Sequence, residues 1–204
     1  MIQIYGNPRT RTIRALWAAE EAGVEYENIF IDLSKKDNRQ PEFLKLNPSG
    51  KIPVLVDGKL ILTESGAICQ YLGLKKPELG LTLPLSHPER PFFDQWMLYA
   101  CAELEQGLWN ISKHTFVHAQ EYRIDAMQRV GLWEFKTAEA IVADHLQGQE
   151  YMLACGFTVV DIMVSQVFMW AKSIGIELAS PCEKYMKAMR SRPAFGRLKE
   201  KFLK

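Results

Sequence analysis

The stretch PEFLKLNPSGKIPVLVDGKLILTESGAICQYL, residues 41–72, decides how this chain is read. PEFLKL offers a short helix. PVLV and LIL flank Asp57-Gly58, a strong signal for a hairpin with a type I′ turn. ESGAICQYLGL, residues 64–74, follows as a helix. Two points in the stretch raise chemical questions. Pro53 opens a strand although proline donates no backbone hydrogen bond. A trans proline at the start of an edge strand is one reading. A cis proline is the other: the backbone of Ile52 would then face outward, where an extended peptide could pair with it. At Glu64-Ser65 a strand ends and a helix begins. The first N–H groups of that helix are free and its dipole adds positive potential. A ligand carboxylate would bind there, helped by the Ser65 hydroxyl. The alternative is that Ser65 or Thr63 simply caps the helix.

Working outward, IQIY at Ile2–Tyr5 alternates as a strand does. Over residues 10–21, Ile13, Leu16 and Trp17 line one helical face, and Gly23 ends the helix. ENIFIDL, residues 27–33, reads as a second strand. The order β-α-β-α-β-β-α predicts parallel strands joined by a right-handed crossover, with an antiparallel hairpin at the edge. Residues 75–91 hold four prolines (Pro77, Pro84, Pro88, Pro91) and read as a linker or capping loop. Beyond them no strand pattern appears. Residues 92–116 are rich in aromatics and helix formers, and residues 121–146 are amphipathic. Residues 159–174 are apolar nearly all round, the mark of a buried central helix. Residues 181–191 and 193–201 are short terminal helices. The expected division is an α/β domain over residues 1–78 and an all-helical domain over residues 88–204.

The chain has 204 residues, 25 basic and 24 acidic, for a net charge of +1. That balance gives no sign of a nucleic-acid or membrane partner. No apolar run suits a signal peptide or approaches the roughly 20 residues of a membrane span. A cytoplasmic protein is expected. Cys69, Cys101, Cys155 and Cys182 form no C-x-x-C pair, which argues against structural zinc and dithiol redox chemistry. His87, His114, His118 and His145 lack a metal-binding grouping with carboxylates, so no metal is expected. No G-x-G-x-x-G, Walker or G-x-S-x-G motif is present.

YGNPRTRTIRAL, residues 5–16, runs from the first strand into the first helix. Thr10 and Thr12 stand where an N-cap hydroxyl belongs. A hydroxyl near that helix end could also stabilise a ligand thiolate. Arg9, Arg11 and Arg14 read most simply as a solvated basic face. Thr158 and Asp161 in FTVVDI form a capping box before the buried helix. Trp96, Tyr99, Trp109, Phe116 and Trp133 are expected in the core, some lining an apolar cleft against the first domain.

Taken together, YGNPRTRTIRALWAAEEAGVEYE, the stretch quoted first, FTVVDI and RPAFGRL resemble the cytosolic glutathione transferases over nearly the whole chain. The resemblance implies a thioredoxin-like α/β domain followed by an all-α domain, and usually a homodimer. It implies glutathione as substrate, no further cofactor, and a small hydrophobic electrophile as second substrate. Pro53 would be cis, and Ile52 would pair by its backbone with the cysteinyl unit of glutathione. Glu64 and Ser65 match the pair that holds the γ-glutamyl end. Asn38 and Arg39 fall where related classes face the glycyl carboxylate, and Lys51 matches a position that is often Gln or Lys. At the thiol-activating position, Thr10 stands where serine-type members carry Ser, and Tyr5 is near the slot that tyrosine-type members use. The cysteine-type pattern is absent. Thr10 is the expected hydroxyl donor, with Thr12 second and Tyr5 third. Tyr99, Trp109 and Phe116 are the expected walls of the second-substrate pocket. The implied activity is conjugation of glutathione to electrophiles, a detoxification reaction. Glutathione-dependent peroxide or disulfide reduction is the enzymatic alternative. A transferase-like binding module without catalysis is the other.

Overall fold

The computed structural model describes residues 1–203. Four strands form one sheet in the order β2-β1-β3-β4. They are β1 (Ile2–Tyr5), β2 (Tyr26–Ile29), β3 (Val54–Asp57) and β4 (Leu60–Leu62). In β1 the alternation works as expected: Ile2 and Ile4 are buried, while Gln3 and Tyr5 are half-buried on the other face. β1 and β2 run parallel, with Ile4 opposite Asn28. Their connection carries α1 (Thr12–Ala22). β3 runs antiparallel to β1, with Ile4 opposite Leu55, and β4 folds back on β3. α2 (Pro41–Leu46) and α3 (Ser65–Leu74) complete the expected thioredoxin-like β-α-β-α-β-β-α order. α1 stops at Gly23, which takes the left-handed φ of 61° and returns its N–H to the Ala19 carbonyl.

Two local expectations shift. β2 ends at Ile29, four residues early, because Asp32 turns the chain: its carboxylate accepts from the Ser34 N–H and hydroxyl. The hairpin turn is Gly58-Lys59 rather than Asp57-Gly58, since Asp57 still pairs with Leu60 in the sheet. Gly58 has φ 60° and Lys59 is not left-handed, so the φ pattern fits type II′ and not type I′. Asp57 is held instead by the Tyr71 hydroxyl at 2.7 Å and the Lys75 amine at 2.6 Å.

The second compact unit, Leu83–Met189, is helical. It holds α4 (Arg90–Tyr99), α5 (Gln106–Ser112), α6 (Ala126–His145), α7 (Val159–Ser173) and nearly all of α8 (Ser180–Arg190). π-helical turns at Ala100–Leu104 and Lys113–Val117 flank α5. α6 begins later than its periodicity suggests, because residues Gln120–Tyr122 form a separate 3₁₀ turn. α7 is the buried central helix. Thr158 caps it by accepting from the Val160 N–H, and Asp161 accepts from the Thr158 N–H at 2.8 Å. Asp161 also takes the Met152 N–H and the Tyr185 hydroxyl, at 2.9 and 2.7 Å.

α9 (Pro193–Phe202) packs in the first unit, which comprises Met1–Thr82 and the chain from Arg190 onward. The sequence had assigned it to the helical domain of residues 88–204. The reason is the buried face of α1: the rings of Trp17 and Phe195 meet edge-on with centroids 4.7 Å apart. Arg192 forks onto Glu21 at 2.7 and 2.9 Å, and Arg197 bonds Glu20 at 3.0 Å.

Candidate functional site

The residues singled out at the front of the chain gather around the start of β3 and the N-terminus of α3. The Ile52–Pro53 bond is cis. The Ile52 side chain packs on the small cluster of Ile31, Phe43 and Val54, beside Tyr5 and Leu46. Among the described residues, its backbone N–H and C=O have no hydrogen-bond partner. The turn before it is tightly held. Asn47 accepts from the Ser49 N–H and hydroxyl and donates to the Lys51 carbonyl at 2.7 Å. Asn38 donates to the Gly50 carbonyl at 2.7 Å, and Arg39 donates to the Ser49 carbonyl at 3.2 Å. Gly50 has φ 66°, and a Cβ there would lie 2.6 Å from Arg39 Nη1. One N–H of the Asn38 amide is therefore committed to the turn. Arg39 keeps further donors, and the Lys51 side chain is exposed.

α3 begins without a side-chain cap, so neither Thr63 nor Ser65 plays that part. Glu64 occupies the cap position at φ 64°, ψ 113°, a strained backbone for a residue with a Cβ. The first turn closes at the Ile68 N–H to Glu64 carbonyl bond. Among the described residues, the N–H groups of Ser65, Gly66 and Ala67 are unpaired, as a helix start leaves them. The Ser65 hydroxyl is buried and accepts from Arg14 Nη1 at 3.1 Å. Arg14 is 1% exposed, so it is not part of a solvated basic face. Sequence reading missed it because Arg9, Arg11 and Arg14 look alike in a polar loop. The available signal was that Arg14 precedes an uninterrupted run of small and apolar residues, Ala15–Ala19.

The three hydroxyl candidates are already engaged. Thr10 donates to the Asn7 carbonyl at 2.7 Å, accepts from the Thr12 N–H, and lies 3.0 Å from the Thr12 hydroxyl. Thr12 is fully buried beneath Gly6, where an added Cβ would come within 2.1 Å of its Oγ1. The Tyr5 hydroxyl donates to Gln3 Oε1 at 3.2 Å. The proposed pocket aromatics lie in the helical unit. Tyr99 donates to the Ala138 carbonyl at 3.2 Å, and Trp109 lies against Trp170 with centroids 6.5 Å apart. Phe116 is exposed on a surface groove shared with Ile111, Leu132 and Ile174. Of the aromatics expected in the core, Trp96 is buried and Trp133 is exposed.

Among the described residues, the four cysteines form no disulfide. Burial, then the Glu89 carboxylate, pushes Cys155 up to about 11; burial and Glu139 push Cys182 up to about 12. Neither is a ready nucleophile. Among the described residues, no group of three His, Cys, Asp or Glu could hold a metal ion.

Residues 1–73 match the family model for the glutathione S-transferase N-terminal domain. The chain is 31% identical to glutathione S-transferase 1 of Schizosaccharomyces pombe over 154 residues, covering 73% of this chain and 66% of that protein. It spans only 35% to 46% of the length of four further glutathione S-transferases that it matches. Over nearly full length, 96% of this chain and 93% of the relative, it is 30% identical to the disulfide-bond oxidoreductase YfcG of Escherichia coli. Among solved structures, it is similar to the theta class glutathione S-transferase of Xanthomonas axonopodis pv. citri with glutathione bound. That match has a TM-score of 0.81 and 29% identity, and covers 96% of this chain and 95% of that one. The sheet order, the cis proline at the start of β3, and the sequence match over residues 1–73 agree: the chain belongs to the glutathione S-transferase family.

Proposed function

We propose that this chain is an enzyme that binds glutathione in its first unit and delivers the thiolate to small apolar electrophiles. The observation that carries the reading is the unpaired backbone of Ile52 beside the donor-rich start of α3. An extended peptide pairs with such a backbone segment as an added strand would. The cysteinyl unit pairs with Ile52 after cis Pro53. The γ-glutamyl carboxylate takes the Ser65 hydroxyl and the free N–H groups of α3, and Glu64 is the acidic partner for the γ-glutamyl ammonium. Arg39 and Lys51 supply positive charge for the glycyl carboxylate, and Asn38 acts by holding the turn that presents them.

A free thiol with a pKa of about 8.5 is only a few per cent ionised at neutral pH. Lowering it by one unit takes about 1.4 kcal/mol, within the reach of one charge-assisted hydrogen bond. Thr10 is the donor in this reading, and it gives up its bond to the Asn7 carbonyl to serve. Retention on immobilised glutathione and a rise in melting temperature with glutathione test binding. Spectrophotometric conjugation of an aryl halide tests the reaction. A chain that neither binds glutathione nor gains stability from it sinks the reading, and leaves a transferase-like binding module.

One observation favours a second reading, glutathione-dependent disulfide reduction. Thr10, Thr12 and Tyr5 all spend their hydroxyls within the protein, which leaves thiolate activation weak. A glutathione thiolate attacks the disulfide and releases one thiol. A second glutathione then resolves the mixed disulfide, giving glutathione disulfide and the other thiol. Turnover of a small disulfide together with negligible conjugation would select this activity. Homodimer formation, a cytoplasmic location and a detoxifying role belong to the same proposal. Exposed Phe92 and Leu98 on α4, with Val130, Trp133 and Ile141 on α6, support a dimer, which light scattering tests. Among the described residues, no helix is long and apolar enough to cross a membrane.

A further inference from the structure

Thr12 is fully buried, so its hydroxyl is closed off from solvent. It meets Thr10 instead, with the two Oγ1 atoms 3.0 Å apart. The direction of that bond follows from the other contacts of Thr10. A hydroxyl has one proton and two lone pairs. The Asn7 carbonyl can only accept, so at 2.7 Å it takes the Thr10 proton. The Thr12 N–H, at 3.2 Å, can only donate, so it fills one lone pair of Thr10. With its proton already placed, Thr10 accepts from the Thr12 hydroxyl, which fills the second lone pair.

Thr10, itself only half-buried, is thus left with nothing but its proton to offer a ligand. Two donors on its oxygen draw charge out of the O–H bond and strengthen that proton as a donor. One of them is the first N–H of α1, where the helix dipole adds positive potential. Thr12 has little freedom to turn away. Gly6 packs against it so closely that a Cβ there would lie 2.1 Å from Thr12 Oγ1 and 2.8 Å from its Cγ2.

We propose that Thr12 is a positioning residue: its hydroxyl and N–H hold the Thr10 oxygen as an acceptor, so that Thr10 meets the glutathione sulfur only as a donor. The proposal rests on the reading of Thr10 as donor to the thiolate. A thiolate arriving on the Asn7 side takes the Thr10 proton, and both bonds from Thr12 stay in place.

The thiol of bound glutathione is titrated by the ultraviolet absorbance of its thiolate, and glutathione affinity is measured by calorimetry. Wild type is compared with Thr10→Ala, Thr12→Val, Thr12→Ser and the double variant Thr10→Ala/Thr12→Val. None of these changes a charge, so Arg9, Arg11 and Arg14 nearby in the chain act alike in all of them. Thr10→Ala is expected to raise the pKa of the bound thiol by about one unit. Thr12→Val nearly keeps the shape and removes the hydroxyl. It should raise that pKa by about half a unit, with affinity changed less than about twofold. Thr12→Ser keeps the hydroxyl and should titrate like wild type. The double variant should match Thr10→Ala alone, because Thr12 acts through Thr10. A Thr12→Val protein that titrates like wild type overturns the proposal while Thr10 keeps its role. So does a Thr12→Ser protein that shifts as far as Thr12→Val, or a double variant in which the two shifts add. Thr10→Ala without a shift removes Thr10 as donor and this proposal with it. Wild-type protein that fails to bind glutathione overturns the site reading beneath both. Should Thr12→Val fail to fold, Thr12→Ala takes its place, since it differs from Thr12→Ser by the hydroxyl alone. A difference of about half a unit between those two supports the proposal, and equal titration overturns it.

Discussion

Single residues in this protein take their roles from what their polar atoms already touch. Thr10 is the proposed thiolate donor, and its proton points at the Asn7 carbonyl. Thr10→Ala should lower conjugation several-fold, by up to about 1.5 kcal/mol in transition-state energy, with glutathione binding kept. Tyr5→Phe should be silent, since the Tyr5 hydroxyl is bonded to Gln3. Steady-state kinetics on both variants check this, and the opposite pattern would move the role to Tyr5. Thr12 is excluded by burial, and Gly6 is what allows that burial. Gly6 has φ 156°, and a Cβ on it would overlap Thr12 Oγ1 at 2.1 Å and Cγ2 at 2.8 Å. Gly6→Ala should cost about 2–4 kcal/mol, read as a lower urea midpoint with an unchanged slope. Adding Thr12→Ala should recover part of the loss.

Among the elements, α5 and α6 approach most closely where two glycines face each other. A Cβ on Gly107 would lie 2.3 Å from the Gly131 carbonyl oxygen, and one on Gly131 would lie 2.5 Å from that of Gly107. Neither clash involves a movable side chain, so the helices would have to separate. Gly107→Ala is expected to destabilise by about 2–4 kcal/mol despite the better helix propensity of alanine, and calorimetric melting measures it. The start of α7 depends on one buried carboxylate. Asp161 accepts from Met152, Thr158 and Tyr185, which joins the preceding loop, the cap and α8. Asp161→Ala leaves those donors unpaired and should cost about 3–5 kcal/mol, lowering the melting temperature by several degrees. The capping box was plain in the sequence because it is a four-residue pattern. The glycine crossing was not, since Gly107 and Gly131 mean nothing until two helices meet.

At the scale of the whole molecule, the two ends of the chain are tied by charge. Burial alone would raise the Glu20 carboxyl. Hydrogen bonds from Lys201, Tyr26 and Arg197 outweigh that and hold it below its ordinary value of 4.5. The unfolded chain therefore takes up this proton at higher pH than the native one does. The stabilisation is full above about 4.5 and is lost as pH falls through the lower, native value. Thermal melts from pH 7 to pH 3.5 should show this fall. Glu20→Gln should reduce the slope below 4.5 and lower stability at pH 7. A variant with the wild-type pH profile would show that the Glu20 cluster contributes little, leaving α9 to the Trp17–Phe195 packing and the Arg192–Glu21 pair.

The element order, the hairpin, the helix stop at Gly23 and the cap of α7 were legible in the sequence because each is written in a few neighbouring residues. Period-two and helical spacing, a glycine at positive φ and a Thr-x-x-Asp pattern act locally. Of the small errors, the early end to β2 arose from Asp32 bonding its own turn, and the hairpin turn was displaced by one residue because Asp57 still pairs with Leu60 in the sheet. The cis proline and the proposed anion site at the start of α3 were legible only as alternatives, since the same residues suit a plain strand start and a plain cap. Tertiary structure alone decided the burial of Arg14 against Ser65, the commitment of all three candidate hydroxyls, and the packing of α9 on α1. The physical reason is distance along the chain. Arg14 meets a partner 51 residues away and Glu20 one 177 away, so no local pattern shows whether a charge will face water or another group.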